Sequence, residues 1–447
     1  MQLDLSEEQT AFQEAARAFA QGELAPWAAE WDERKIFPKD VIAKAGALGF
    51  CGIYTPEDCG GMGLSRLDTA IILEELAGGC TSTAAYISIH NMATWMIATW
   101  GTEAVKNHWC GPLTRAEKLA SYCLTEPNAG SDAGALQTSA RRLGDGYVLN
   151  GSKMFISGAG STDLLVVMAR TGSLEQGPNG ISAFAVAADT PGISYGKNEI
   201  KMGWNSQPTR AITFADVEIP AHCLLGREGE GFKIAMQGLD GGRINIASCS
   251  IGAAQATLDL AQRYMLERRQ FGKSLASFQA LQFKLADMTT ELVAARQMVR
   301  LAAFKLDQNH AEKTAYCAMA KRFATDVGFE VCNQALQLHG GYGYIREYPI
   351  ERFMRDARVH QILEGTNEVM RLIDQLAQLN VSFVRLLEEL SATFHSAAIR
   401  QSVPDLKTVT LYEELIDRIA EQMSAEDIQL HYQFTIKGLQ DIYAAHT

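Results

Sequence analysis

Through the first quarter of the chain, apolar residues recur every three or four positions, the spacing of helices with one buried face. Ser6 and Gln9 form a capping box ahead of Phe12, Ala16 and Phe19; Val41, Ile42, Ala45 and Leu48 repeat the pattern until Gly49 ends it. Gly60-Gly61-Met62-Gly63 reads as a flexible loop, and residues 69–76 and 84–100 are apolar enough to predict buried helices. The period changes near Ser121. Residues 136–149 read as strand, Gly144-Asp145-Gly146 turn and strand, and Asn150-Gly151 predicts a second tight hairpin before Met154, Phe155 and Ile156. Residues 164–169, 181–186 and 211–219 complete a β block. Helical patterns rich in Ala, Leu and Met return over 244–270, 278–307 and 311–338, as in a helical bundle. The pattern breaks after Ile373. Phe383, Leu386, Leu390 and Phe394 then mark a helix that ends before Pro404-Asp405; Leu411, Leu415, Ile419 and Met423 mark a second, and Ser424 with Asp427 caps a third. The expected fold is α+β and multidomain: an N-terminal helical domain (1–120), a β domain (121–230), a C-terminal four-helix domain (231–373) and a helical extension (374–447).

Composition narrows the function classes. The 447 residues suffice for several large cores, and the net charge of -12 argues against a broad basic surface for nucleic acid. No apolar run is long enough to predict a membrane span. Met1, Gln2, Leu3 and Asp4 carry no basic region, so no targeting signal is expected and a bacterial cytoplasmic location is. Nine scattered cysteines with no C-x-x-C spacing read as free, mostly buried thiols in a reducing compartment. Asn150-Gly151-Ser152 fits a glycosylation sequon but reads as a turn.

Four stretches carry candidate chemistry. Glu364 lies between an apolar run (Val359, Ile362, Leu363) and Gly365, with Thr366 and Asn367 placed to cap a helix bearing Val369, Met370 and Ile373. A carboxylate at such an apolar break has its pKa pushed up, as a base for a weakly acidic C–H requires; a solvated Glu at a helix start is the alternative. Residues 123–132, C-L-T-E-P-N-A-G-S-D, offer uncharged donors and acceptors for a heterocycle edge or a pyrophosphate, or form an ordinary loop. Gln337-Leu338-His339-Gly340-Gly341 reads as a helix C-cap, and His339 has no partner at metal spacing, so no metal is expected. Arg268-Arg269-Gln270-Phe271 is a solvated helix end or a source of cations for phosphates.

Taken together, these stretches resemble the acyl-CoA dehydrogenase family. One family signature lies at 123–135; a second runs from Gln337 through Gly340, Gly341, Gly343, Glu347 and Arg352 to Asp356, and with Glu364-Gly365 the likeness covers residues 1–373. Residues 81–91, 203–210, 245–250 and 360–365 are similar to the valine-pathway branch. The resemblance implies an N-terminal helical domain, a middle β-sandwich or barrel, a C-terminal four-helix bundle and a homotetramer. It also implies FAD, α,β-dehydrogenation of isobutyryl-CoA (2-methylbutyryl- or butyryl-CoA as alternatives), and electron-transfer flavoprotein as acceptor. It assigns Glu364 as the base that takes the α-proton. FAD would be held by Tyr122, Cys123, Leu124, Thr125, Gly130, Ser131, Phe155, Ile156 and Ser157, by Arg268, Phe278, Gln279, Gln337, Leu338, His339, Gly340 and Gly341 partly across a subunit interface, and by Thr366, Asn367 and Glu368. Ser131, Asp240, Gly241, Gly242 and Arg243 would meet the acyl-CoA; some relatives carry the base on that segment, where this chain has Gly242. An arginine that helps bind substrate in the valine-pathway enzymes is replaced by Leu376. From about Val381 the chain instead resembles the oligomerisation domain of the clamp-loader γ/τ subunit of bacterial DNA polymerase III, most clearly at 425–433 with Gly438. That implies assembly through the tail, and leaves a non-catalytic scaffold as the rival reading.

Overall fold

Two opposed demands shape the β region: its strands must bury apolar residues on both faces, and a charged loop must be held against them. The computed structural model describes residues 4–370, 383–402 and 412–445. It divides into two compact units, Met1–Arg371 and Leu372–Thr447.

In the first unit, helices α1 (Glu7–Phe19), α2 (Ala28–Arg34), α3 (Lys39–Ala47), α4 (Arg66–Gly79), α5 (Thr81–Trp100) and α6 (Glu103–Thr114) precede the strands. Ser6 and Gln9 make the reciprocal capping box at the start of α1. The strands are β1 (Ala120–Cys123), β2 (Ser139–Leu143), β3 (Gly146–Ser157), β4 (Leu164–Arg170), β5 (Ile181–Ala187), β6 (Ile193–Tyr195), β7 (Thr209–Pro220) and β8 (Leu224–Leu225). They form one sheet in the order β6-β7-β3-β2-β4-β5-β8, with β1 parallel to β4. Along β4 the side chains alternate between two cores. Leu164, Val166 and Met168 meet residues of α5 and α6, while Leu165, Val167 and Ala169 pack with Phe184, Ile212 and Phe214.

The hairpin expected at Asn150-Gly151 does not form. β3 runs on through it, and its register with β7 shifts between Leu149 and Gly151, a β-bulge. Gly151 adopts φ 143, and a Cβ there would lie 2.6 Å from the Thr138 backbone. The Asn-Gly pair answers close backbone approach inside a strand rather than a chain reversal. Asn150 is pinned on both polar atoms of its amide by Asp216 of β7.

Beneath β3 lies a buried ion pair. Lys153 Nζ donates to Glu126 Oε1 at 2.7 Å and to the Leu124 carbonyl at 3.0 Å. Glu126 also accepts from the backbone N–H groups of Gln137 and Thr138. Burial pushes the Glu126 carboxyl up, but Lys153 and these donors outweigh it and leave it below its ordinary value. The pair clamps the loop after β1 against β3.

Helices α7 (Gly231–Glu267), α8 (Gln279–Asp307) and α9 (Lys313–His339) form the bundle, followed by α10 (Ile350–Arg358). Their shared core includes Leu258, Leu292, Val299, Val331 and Phe353. The sequence places the first bundle helix at 244–270, but α7 begins thirteen residues earlier, at Gly231, running through Gly238, Gly241 and Gly242. Helix propensity counts each glycine as unfavourable by about 1 kcal/mol. The space beside two of them is taken by side-chain ends: a Cβ would lie 1.9 Å from the Met96 methyl at Gly238 and 2.3 Å from the Arg66 guanidinium at Gly241.

In the second unit, helices Phe383–Ser402, Glu413–Gln422 and Ala425–Ala445 share a small core of Ala397, Ile416 and Ile428, with Phe394, Ile419 and Met423 against it. Ser424 caps the last helix, accepting from the Asp427 N–H at 3.1 Å. Leu390, Leu415, Leu430 and Phe434 remain exposed. Ile373, Leu376, Pro404, Asp405 and Leu411 lie outside the described residues, as do the side chains of Phe383 and Leu386.

Replacing Lys153 with Met leaves a buried carboxylate uncompensated, which costs about 3–5 kcal/mol. A clearly lower urea midpoint than the parent protein is the expected result; an unchanged midpoint means that the Lys153–Glu126 pair does not hold this region.

Candidate active site

Glu364 sits in the turn after α10 and is itself left-handed, with φ 56, followed by Gly365 at φ 91. A non-glycine residue held there costs on the order of 1–3 kcal/mol, so the surroundings must enforce it. Arg243 Nε donates to the Glu364 carbonyl at 3.3 Å, and Lys321 Nζ to the Gly365 carbonyl at 2.7 Å. Asn367 opens the next helix with a buried side chain, donating to Thr325 Oγ1, Asp326 Oδ1 and the Arg322 carbonyl. The Met370 N–H closes the first turn on the Thr366 carbonyl.

These bonds fix the backbone and leave the carboxylate free. Glu364 Oε2 is buried with no hydrogen-bond partner. It faces α7 where Gly242 stands, and a Cβ at Gly242 would lie 2.7 Å from it. The glycine therefore cannot act as a base and also makes the room that Glu364 occupies. Burial pushes the Glu364 carboxyl up to about 7, against the opposing charges of Arg243 and Lys321. Tyr122 and Tyr54 are both raised, by burial first and by the Glu364 charge in addition. Asp240 and Arg243 are paired one helical turn apart at 3.1 Å, and Thr314 donates to the other Asp240 oxygen. Gly241 lies against Arg66, which covers the Tyr54 ring at 3.5 Å.

The expected flavin residues fall into two groups. In the first, β1 and β3 are joined by the Ser121 hydroxyl on the Ser157 carbonyl, and the Met154 N–H donates to the Thr125 carbonyl. Tyr122 has a buried hydroxyl without a partner; Phe155, left-handed at φ 58, presents a ring that is 62% exposed. Gly130 and Ser131 are exposed, as is Glu368, while Thr125 and Thr366 are half-buried. Cys123, Leu124, Ile156 and Asn367 are turned into the core, so only their backbone can meet a ligand. Burial pushes the Cys123 thiol up to about 12, which makes it inert.

The second group lines a separate cavity of about 620 Å³ at the far end of α7 and α9, formed by Arg268, Gln337, Leu338, His339, Gly340 and Gly341 with Tyr264 and Tyr342. Arg268 lies over the Tyr342 ring at 5.3 Å. His339 stacks on Tyr264 at 4.4 Å, and its Nδ1 meets the Ala335 carbonyl, a packing role. Phe278 and Gln279 stand at the start of α8. At 1.5 Å per residue, Gly242 and Arg268 are about 40 Å apart along α7.

An exposed aromatic face, an orphaned buried hydroxyl and exposed backbone on one strand edge suit a flat, apolar heterocycle with polar edges. A basic cavity beside glycines with no side chains suits a phosphate-bearing moiety. The residues present therefore fit FAD. Local sequence had no signal for Lys321, which lies in the middle of an ordinary alanine-rich helix.

Comparison with known proteins agrees. The acyl-CoA dehydrogenase N-terminal domain matches residues 6–117, the middle domain 121–217 and the C-terminal domain 229–376. Mitochondrial isobutyryl-CoA dehydrogenase of Bos taurus is 57% identical over 83% of this chain and 89% of its own length. The structure of butyryl-CoA dehydrogenase from Megasphaera elsdenii is 43% identical with a TM-score of 0.82, covering 85% of this chain and all 100% of that one. A chain from a structure described as the electron transferring flavoprotein of Acidaminococcus fermentans is 44% identical with a TM-score of 0.83, over 85% and 100%. The chain belongs to the acyl-CoA dehydrogenase family and is an FAD-dependent oxidoreductase acting on acyl-CoA.

Proposed function

We propose that this enzyme dehydrogenates isobutyryl-CoA to methacrylyl-CoA, with Glu364 as the base. The observation that carries the mechanism is the unpartnered, buried Glu364 Oε2 beside Gly242, in a carboxyl whose pKa is about 7. Such a group binds the α-proton of a thioester without first breaking an ion pair. The chemistry supplied by bound FAD is acceptance of the β-hydride. Tyr122, Thr125, Ser131 and the Phe155–Ser157 edge orient the flavin. Asp240 and Arg243, with Gly241 and Gly242 between them, line the acyl side.

The substrate reading rests on similarity: 57% identity to the isobutyryl enzyme against 43% to the butyryl enzyme. Electron-transfer flavoprotein as acceptor is supported by the Acidaminococcus match. A homotetramer is what the family resemblance implies, and the roughly 40 Å along α7 fits the need for at least a second copy. The cavity at Arg268 and Gln337–Gly341 then serves a flavin seated on the β1–β3 edge of a second copy. The nine free thiols favour a reducing compartment, here the bacterial cytoplasm. The unit from Leu372 is read as an assembly module of the clamp-loader type, since its exposed Leu390, Leu415, Leu430 and Phe434 leave apolar surface for self-association.

Glu364→Gln is nearly isosteric and keeps the flavin spectrum but loses turnover; a near-parental rate sinks the base assignment. In the parent enzyme the active form is the carboxylate, so kcat/KM falls as pH drops through about 7. A panel of acyl-CoA esters with an artificial electron acceptor tests the substrate, and a several-fold higher kcat/KM for hexanoyl-CoA than for isobutyryl-CoA overturns it. Cutting the chain after Ile373 changes oligomeric state or stability, read by light scattering, and leaves flavin content and kcat intact. Loss of FAD or kcat with the assembly unchanged contradicts the modular reading.

A further inference from the structure

We propose that Lys321 is a positioning residue for the Glu364 base, holding the strained turn through the Gly365 carbonyl and Asn367 while leaving the carboxylate itself unpaired. The proposal rests on the reading of Glu364 as the base.

Lys321 is 0% exposed in the middle of α9. A fully buried lysine is rare unless its charge is used. Its ammonium donates to the Gly365 carbonyl at 2.7 Å and to Asn367 Oδ1 at 2.9 Å. Both acceptors belong to the turn that carries Glu364, and neither is the carboxylate. Asn367 is in turn tied to α9 through Thr325, Asp326 and the Arg322 carbonyl. One face of α9 therefore grips the turn at Gly365 and Asn367, directly after Glu364. An ammonium paired directly with the carboxylate would depress its basicity and compete for the lone pair that takes the proton. Placed one residue along, the same charge holds the backbone and acts on the carboxylate through space alone.

The charged and titratable groups around Glu364, Arg243 and Lys321 come from several elements. Arg243 and Asp240 lie on α7, Lys321 and Asp326 on α9, Tyr122 on β1, and Tyr54 with Arg66 on the N-terminal side; Glu368 lies just beyond the turn. Of these, Arg243 and Lys321 favour the carboxylate against burial. Arg243 divides its donors between Asp240 and the Glu364 carbonyl, whereas Lys321 gives both of its bonds to the turn. Removing the Lys321 charge therefore raises the pKa of Glu364, and the acid limb of kcat/KM moves to higher pH. A purely structural role would not move that limb.

The test compares Lys321→Met, which keeps the stem and removes donor and charge, with Lys321→Gln, which keeps a neutral donor. Glu364→Gln is measured alongside. Flavin content is read by absorbance, and kcat and the pH profile with isobutyryl-CoA and an artificial acceptor. Both lysine variants are expected to retain flavin and to show the acid limb displaced upward. Lys321→Met loses about a hundredfold in kcat, the scale of a misplacement of about 1 Å, and Lys321→Gln loses less. Parental kcat and an unmoved acid limb, with Glu364→Gln inactive, overturn the role of Lys321 alone. An active Glu364→Gln variant overturns the base reading and this proposal with it. Absence of folded flavoprotein for both lysine variants assigns Lys321 to core stability and also overturns the proposal.

Discussion

A buried carboxylate with no partner is expensive, and the site depends on keeping one. Glu364 Oε2 has neither solvent nor a hydrogen-bond donor. Protein interiors normally answer such a group by pairing it or by neutralising it. Here the nearby cations are spent on backbone carbonyls instead, Arg243 on that of Glu364 and Lys321 on that of Gly365. Their field offsets part of the desolvation, and the pKa comes to rest near neutrality rather than far above it. The left-handed backbone at Glu364 belongs to the same arrangement, since the turn aims the side chain at α7 while Arg243 of α7 holds the Glu364 carbonyl and Lys321 of α9 the Gly365 carbonyl.

The helices around this turn are built to its measure. On α7, Gly242 leaves the space that the carboxylate fills. α9 contributes a continuous face of Lys321, Arg322, Thr325 and Asp326 to Asn367 and the turn. The β side uses a buried pair in a different way. Lys153 and Glu126 meet directly, and each also bonds backbone of its own, the Leu124 carbonyl for the lysine and the Gln137 and Thr138 N–H groups for the carboxylate, so their charges are absorbed in fixing a loop. One lysine pairs with its carboxylate because that carboxylate has only to hold still. The other stands off because its neighbour has to bind a proton.

The helix–sheet–helix order and most core faces were legible because burial writes its period into the chain. Phe12, Ala16 and Phe19, or the apolar run 164–169 of β4, follow from that alone. The errors cluster at glycine. Asn150-Gly151 has the local chemistry of a hairpin yet stays inside β3, opposite the extra residue of β7, with the Thr138 backbone close against Gly151. The early part of α7 looks like broken helix, yet its glycines are fitted to Met96, Arg66 and Glu364. A glycine records that something comes close and does not record what. Cys123, Leu124, Ile156 and Asn367 illustrate a second limit: a motif marks a segment, while the alternation of the strand and the helix start decide which side chains face inward.

What the sequence by itself determined was the set of apolar faces, the capped helix starts and, through motif resemblance, a base candidate between an apolar run and a glycine. These are local properties, set by periodicity and by the chemistry of neighbouring residues. Tertiary structure alone decided that Glu364 Oε2 is unpaired, that Gly242 gives it room from 122 positions away in the chain, and that Lys321 stands behind the turn. Desolvation and electrostatic fields depend on every group within a few ångströms, and that neighbourhood exists only once distant helices have packed.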